Sequence, residues 1–115
     1  MIVDSSEREA HHQVCVRADN ELTSRGPPTD ASAGAPTFSF RCECGDPQCR
    51  DTVNTTRAEY EDVRALGSRF LIVDRHENPE ICRVVSVRAR FAIVETIGRD
   101  ARRIVLRGNP RHTWP

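Results

Sequence analysis

The chain has 115 residues, enough for one compact domain, and its 37% hydrophobic and 5% aromatic content predicts a thin core. A small domain buries only about 60% of its unfolded surface, so we expect a staple such as a metal ion. The net charge of zero excludes a uniformly basic chain, although residues 81–115 carry 8 arginines against 2 acidic residues. No apolar run approaches the roughly 18 residues of a membrane span, and the start lacks the apolar region of a signal peptide, so we expect a cytoplasmic protein.

The chain is predicted to begin with a helical segment, 1–25, in which the helix itself covers 7–25. Its apolar residues recur every four positions, as one helical face requires: Ala10, Val14, Ala18 and Leu22. Residues 26–36 are rich in proline, glycine and alanine, which predicts a flexible linker. The helix has two possible roles: it lies in the groove of a protein partner, or it folds back on its own domain.

The folded unit is predicted to cover 37–107, followed by an irregular tail at 108–115. Phe38 and Phe40 alternate with polar neighbours, a pattern typical of a short strand that leads into the cysteines.

A second helix is predicted over 57–66. Thr56 and Glu59 have the spacing of a capping box, in which each side chain binds a free backbone amide of the first turn. Gly67 follows at the position where a left-handed residue commonly ends a helix.

Strands are predicted for the rest of the unit. Residues 70–73 form a short apolar run, 82–87 and 91–97 are rich in β-branched residues and favour a hairpin, and 104–106 are predicted as an edge strand. The fold class expected is α+β, with a small antiparallel sheet and one or two helices stapled by a structural zinc ion.

Three of the five cysteines lie within eight residues, at Cys42, Cys44 and Cys49. The intervening Gly45-Asp46-Pro47 favours a turn that brings the thiols together and points backbone amides at sulfur. In a reducing compartment this clustering favours a metal site over disulfides. Zinc prefers four ligands, so one more is needed.

His76 is the leading candidate for the fourth ligand because it follows a predicted strand in a polar loop. Cys82 is the main alternative, although its place within a strand favours a small buried side chain. The remaining histidines, His11, His12 and His112, are weaker candidates.

A catalytic metal and an iron–sulfur cluster are both disfavoured. His76-Glu77 is not followed by the second histidine of a metalloprotease helix, and a closed set of three cysteines and one histidine leaves no position for water. Iron–sulfur clusters normally use four cysteines. We therefore expect a structural zinc ion and no enzymatic activity. The alternative for the three cysteines is a set of free thiols, or one disulfide with one cysteine left over.

These residues together resemble a group of small uncharacterised actinobacterial proteins. The shared pattern includes Asn20-Glu21, Phe40-Arg41-Cys42-Glu43-Cys44 with Cys49, residues 54–64, Arg69-Phe70 through His76, and Asn109-Pro110-Arg111. The resemblance covers most of the chain. It implies a zinc module that uses the three cysteines and His76, and it implies no particular activity. The chain departs from the pattern at Val73-Asp74-Arg75, which replaces V-x-P-G, so we expect a less rigid loop.

Three functions follow as hypotheses. The first is a non-enzymatic regulatory or adaptor module with a protein partner. The second is a nucleic-acid-binding zinc protein that uses the arginines of the C-terminal third. These arginines are Arg83, Arg88, Arg90, Arg99, Arg102, Arg103 and Arg107. The third is a thiol-based redox sensor that releases zinc on oxidation.

Overall fold

The computed structural model describes residues 5–31 and 34–111; the rest of the predicted linker and tail, including His112, lies outside these ranges. The described residues form three helices and five strands. In chain order they are α1 Ser5–Arg25, β1 Thr37–Arg41, β2 Thr52–Thr56, α2 Arg57–Arg64, β3 Arg69–Ile72, β4 Cys82–Val87, β5 Ala92–Thr96 and α3 Arg99–Arg107.

The strands form two antiparallel sheets, which confirms the α+β prediction. β1 pairs with β2, so that Thr37 lies opposite Thr56 and Arg41 lies opposite Thr52. The second sheet has the order β3-β5-β4, and its β4–β5 pair is the predicted hairpin. The register of this hairpin shifts between Val84 and Ser86.

The three-stranded sheet is the central layer, with a hydrophobic cluster on each face. Side chains alternate along β3, so Phe70 and Ile72 face one side and Leu71 faces the other. The first cluster includes residues of α1 and α3 together with Cys42 and Cys44. In the second cluster Phe40 stacks on Tyr60, with ring centroids 4.4 Å apart, which fixes α2 and the two-stranded sheet on that face.

Two elements differ from the sequence prediction. Residues 104–106, expected as an edge strand, lie within α3, because Ala101 and Val105 face the core four residues apart and the charged residues between them face outward. A run of three apolar residues is too short to separate the two periodicities. β2 was not predicted, because only Val53 in it is apolar, although Val53 and Thr55 alternate inward as a strand requires.

The start of α2 agrees with the prediction, and its end does not. The hydroxyl of Thr56 accepts a hydrogen bond from the backbone amide of Glu59 at 3.2 Å, which confirms this half of the capping box. The Glu59 carboxylate, however, accepts from the hydroxyl of Thr55. Gly67 is not left-handed, so its predicted role is wrong. A Cβ at Gly67 would lie 2.6 Å from the amide nitrogen of Asn109, so glycine here permits close packing.

α1 folds back on its own domain, and the buried face of this helix is mostly polar. The predicted apolar face is wrong: Ala18 is exposed and Leu22 is 67% exposed. The buried positions are Ala10, Gln13, Val16, Arg17, Asn20, Glu21 and Ser24. They recur at three- and four-residue intervals, as one helical face requires, but hydrogen bonds rather than apolar contacts satisfy most of them.

The polar face of α1 is satisfied by distant parts of the chain. Arg17 donates to the carbonyl oxygens of Gly67 and Val105 at 2.8 and 2.7 Å, and its guanidinium lies over the ring of Phe70. Burial lowers the pKa of Arg17 to about 10. Glu21 accepts two hydrogen bonds from Arg111 near the other end of the chain. α1 is thus held by specific polar contacts to several elements.

Part of the segment predicted as a flexible linker pairs with the start of β1. The amides of Thr29 and Asp30 donate to the carbonyl of Thr37, and the amide of Thr37 donates to the carbonyl of Asp30. These bonds fold the chain back between α1 and the first sheet.

Candidate metal centre

Cys42, Cys44 and Cys49 lie in the loop between β1 and β2. The amide of Cys42 donates to the carbonyl of Asp51, so the paired strands hold both ends of the loop together. Within the loop, Asp46 makes the predicted turn: its carboxylate accepts from the Gln48 amide and its carbonyl accepts from the Cys49 amide. The loop is therefore folded back, as the Gly-Asp-Pro sequence predicts.

His76 reaches the cysteines from the loop after β3. Its amide donates to the carbonyl of Val73 in a turn, and Arg75 before it has a φ of 71°, in the left-handed region. Glycine adopts this conformation without strain and arginine does not, so the turn before His76 is strained at Arg75. The amide of Val73 donates to the sulfur of Cys42 at 3.2 Å, joining the two loops directly.

The four predicted ligands converge on one point. Nδ1 of His76 lies 3.7 Å from the sulfur of Cys42 and 3.7 Å from that of Cys49. All four ligand atoms, including the sulfur of Cys44, lie within 4.8 Å of one another. Tetrahedral zinc with Zn–S and Zn–N bonds of about 2.3 and 2.0 Å separates its ligand atoms by about 3.5 to 3.8 Å. The side chains are thus placed to bind one metal ion with small adjustments.

The environment of the cysteines favours the thiolate form at Cys44. Hydrogen bonding from Cys42 lowers the pKa of Cys44 to about 5, and the Asp46 amide acts in the same direction. The same pairing, together with burial, raises the pKa of Cys42. Burial raises the pKa of Cys49. At least one sulfur is therefore ready to bind a cation as a thiolate, the form that metal ions require.

The outer nitrogen of His76 has a carboxylate partner that the sequence analysis did not identify. Nε2 of His76 lies 3.4 Å from a carboxylate oxygen of Asp51. A carboxylate at the far nitrogen orients a metal-binding imidazole and fixes its tautomer. Asp51 lies two residues after Cys49, so its proximity depends on the fold of the loop.

Cys82, the alternative fourth ligand, is buried and lies outside the four-residue cluster. Its sulfur accepts a hydrogen bond from Nε2 of Gln13 at 3.4 Å, and burial raises its pKa. This is the small buried side chain that its position in a strand predicts. Among the histidines of α1, His11 is exposed and His12 is half-buried, and neither belongs to the cluster.

Glu43, between two of the cysteines, is fully buried and faces away from them. Its Oε1 accepts from Nη2 of Arg64 at 2.6 Å and from the Leu71 amide at 2.8 Å, and its Oε2 accepts from Nδ2 of Asn20 at 2.8 Å. Because alternate residues of an extended chain face opposite sides, C-x-C presents two sulfurs to one side and the middle residue to the other. The C-x-C spacing could therefore have predicted that Glu43 faces away from the metal centre.

α1 contacts both loops of the site. Gly45, with φ of 90°, lies so close to α1 that an added Cβ would be 3.2 Å from the carbonyl oxygen of Glu9. The carboxylate of Glu9 accepts from Nδ2 of Asn78 in the loop that carries His76, at 2.8 Å. Gln13 donates to the carbonyl of Glu43.

The seven arginines proposed as a phosphate or partner surface come from three parts of the fold. Arg88 lies near the hairpin turn, where it donates to Ser86 and pairs with Asp62, and Arg90 is exposed in the same turn. Arg83 lies on β4 and pairs with Glu95. The other four are on α3: Arg99, Arg102, Arg103 and Arg107.

The comparisons with known proteins add no family or relative. No family model, no curated protein and no solved structure matches the chain. The resemblance to the actinobacterial proteins therefore stays a prediction. Among the described residues, none of the helices has the length and apolar character needed to cross a membrane.

Proposed function

We propose that Cys42, Cys44, Cys49 and His76 bind one structural zinc ion in a small non-enzymatic binding module with a regulatory or adaptor role. The observation that carries the proposal is the convergence of these four ligand atoms within 4.8 Å from two separate loops. His76 lies 27 residues after Cys49, the last of the three cysteines, so the two loops are distant in sequence. Binding of one metal ion by all four side chains would account for this convergence.

The choice of zinc rests on the chemistry of the donors. Three thiolates and one imidazole form a soft, tetrahedral set, which suits zinc and suits magnesium or calcium poorly. An iron–sulfur cluster would normally use a fourth cysteine. A neutral His76 and three thiolates give the zinc site a net charge of −1, which the nearby amides of Val73 and Asp46 offset in part.

A structural role is supported by the completeness of the ligand set. Four protein ligands fill a tetrahedral zinc ion, so no position is left for the water or substrate that a catalytic zinc ion binds. The ion would join the loop after β1 to the loop after β3, which otherwise share few hydrogen bonds, such as the one between Val73 and Cys42. Part of the folding free energy would then come from metal binding.

The adaptor role no longer rests on a free N-terminal helix. Because α1 is packed on its own domain, a partner would contact exposed surface rather than a tethered helix. Candidate apolar contacts on that surface are Leu22, Val84 and Val87, the exposed large hydrophobic residues of the described chain.

The proposal is tested by metal content and spectroscopy. Protein purified under reducing conditions is assayed by plasma emission, and cobalt(II) is then exchanged into the site. We expect one zinc ion per chain, and thiolate-to-cobalt charge transfer with the d–d bands of a tetrahedral ion. Cys49→Ser and His76→Ala should lower the metal content and the melting temperature, whereas the matched changes Cys15→Ser and His11→Ala, at exposed positions of α1, should leave both unchanged.

Three results would overturn the structural-zinc reading. Reduced protein without metal that melts at the same temperature with and without chelator would show that the fold does not need the ion. Unchanged metal content in both ligand variants would place the ion elsewhere. Rapid zinc release under mild peroxide, followed by a reversible disulfide among the three cysteines, would favour the redox sensor instead.

A further inference from the structure

Glu95, on β5, is the only acidic residue within a group of three arginines. Nη2 and Nε of Arg83 lie 2.9 and 3.3 Å from its Oε2, and Nε of Arg69 lies 3.9 Å from its Oε1. Arg102 of α3 acts on the same carboxylate through space. Nε of Arg69 is buried and makes no hydrogen bond. The Glu95 side chain is 14% exposed and lies beside two guanidinium groups, with a third acting on it from α3, so positive charge is in excess here.

α3 extends this excess along the surface. Arg99, Arg103 and Arg107 are exposed and recur every four residues, which places them on one stripe of the helix with a spacing of about 6 Å along its axis. In the described part of the chain none of them forms an ion pair. Like charges four residues apart on a helix destabilise it, so the row has a cost to the fold.

The four arginines of α3 and the two at the adjoining end of the three-stranded sheet are together called the basic face: Arg99, Arg102, Arg103 and Arg107, with Arg69 and Arg83. On a helical wheel its α3 members span about 140°, from Arg102 beside Glu95 to Arg107 on the side of α1. Acidic side chains reappear at the α1 margin, where Glu7 and Asp100 line an open cleft between the two helices. Arg103 and Arg107 line the same cleft, so the basic face ends there beside two acidic side chains, and Glu95 lies among the arginines at its other end.

We propose that the basic face binds the phosphate backbone of a nucleic acid. Guanidinium groups bind phosphate oxygens through paired hydrogen bonds, and a linear row of them fits a chain of phosphates better than an isolated phosphate. A membrane-binding helix would present apolar side chains beside its cations, whereas the exposed stripe of α3 consists of arginines. Binding through phosphates is sensitive to salt and carries little sequence information.

This inference goes beyond the proposed zinc site and does not depend on it. The basic face belongs to α3 and the three-stranded sheet, and none of its arginines is a metal ligand. A failure of nucleic-acid binding in protein that retains its metal content would therefore remove this inference alone.

The test measures fluorescence anisotropy of a labelled oligouridylate and a labelled DNA duplex titrated with the full chain. We expect binding at about 50 mM salt that weakens steeply towards 200 mM. The double variant Arg103→Gln with Arg107→Gln should bind on the order of ten-fold more weakly and have a salt slope smaller by about 2, because each phosphate contact contributes about 0.9 to that slope.

A matched control separates location from total charge. The double variant Arg8→Gln with Arg25→Gln also removes two exposed arginines, both on α1 and outside the basic face, and it should bind like the unaltered protein. Glu95→Gln removes the carboxylate that competes with phosphate for Arg69 and Arg83, so we expect it to bind more tightly.

The inference is overturned by any of three outcomes. The first is no binding of either probe at low salt by protein with its metal content intact. The second is an equal loss of affinity in the α1 double variant, which would show a nonspecific effect of net charge. The third is binding to vesicles of anionic phospholipid with no binding to either nucleic acid, which would assign the face to a membrane surface.

Discussion

Replacing Glu43 by glutamine should destabilise the fold far more than the size of the change suggests. The side chains of Glu43 and Arg64 are 0% and 2% exposed, and their ion pair is 2.6 Å long. Glutamine keeps the shape of the side chain, so no cavity forms. The change removes the negative charge and leaves the guanidinium of Arg64 buried without a counter-ion.

The magnitude follows from two contributions. Breaking one partner of a buried ion pair costs about 3–5 kcal/mol. In addition, the glutamine oxygen can replace Oε1, which keeps the bonds from Arg64 and the Leu71 amide, but its NH₂ group then faces the NH₂ group of Asn20 at the position of Oε2. We expect a loss of about 4–6 kcal/mol in the free energy of unfolding. The total stability of a small domain is about 5–15 kcal/mol, so this is a large share of it.

Urea unfolding followed by circular dichroism measures this loss. Glu61→Gln is the matched control, because Glu61 also pairs with an arginine, Arg111, but its side chain is 50% exposed, so we expect about 0.2–1 kcal/mol. A double-mutant cycle of Glu43→Gln with Arg64→Met should show that much of the cost disappears when both charges are removed. A loss below about 1 kcal/mol, or one equal to that of the control, would refute the reasoning.

Three further predictions concern pH and backbone conformation. Hydrogen bonds from arginines lower the pKa values of Glu61 and Glu95 below the usual 4.5, so both carboxylates stabilise the fold above about pH 4.5 and lose this contribution as the pH falls through the lowered values. Urea unfolding across this pH range should therefore show a flatter acid dependence of stability in Glu61→Gln and Glu95→Gln. An unchanged dependence would contradict the ion pairs. Gly45→Ala and Gly98→Ala both place alanine at a φ near 90°, at a cost of about 1–3 kcal/mol in stability. Only at Gly45 does the added methyl meet α1, so thermal unfolding should show the larger loss of stability in Gly45→Ala, together with weaker metal binding. Equal losses in the two variants would argue against that contact. Arg75→Gly relieves the strain of a left-handed arginine, about 1–2 kcal/mol, and adds an entropy cost of about 0.5–1 kcal/mol because glycine has a freer backbone. The melting temperature should therefore stay the same or rise slightly. A clear fall would mean that the arginine side chain itself supports the loop.

Local signals in the sequence were sufficient for several elements. The capping of α2 by Thr56 depends on residues three positions apart, and the hairpin of β4 and β5 depends on β-branched runs that are neighbours in sequence. The cysteine cluster was recognisable because three thiols at short spacing are typical of a metal site. His76 followed from its place after a strand, and the structure brings it to the cysteines.

Elements that depend on distant partners were not predictable in the same way. The buried face of α1 consists largely of polar side chains whose partners lie far along the chain, such as Arg17 with Val105 and Gln13 with Cys82. A hydrophobic pattern therefore indicates the wrong face. Glu43 resembles a surface residue until its arginine partner is known. The three apolar residues at 104–106 of α3 fit a strand equally well over so short a window.

The alternation in Cys42-Glu43-Cys44 has a thermodynamic consequence. The same three peptide groups carry two sulfurs of the metal centre and the carboxylate that holds Asn20 of α1, so an ion at one site and the helix at the other restrict the same backbone. Linkage between two equilibria is reciprocal: whatever affinity the seated helix adds to the metal centre, the bound ion returns as stability of the seated helix. Loss of the ion would weaken the packing of α1, and loss of that packing would weaken binding of the ion. Depletion of the metal should therefore loosen α1 around Asn20.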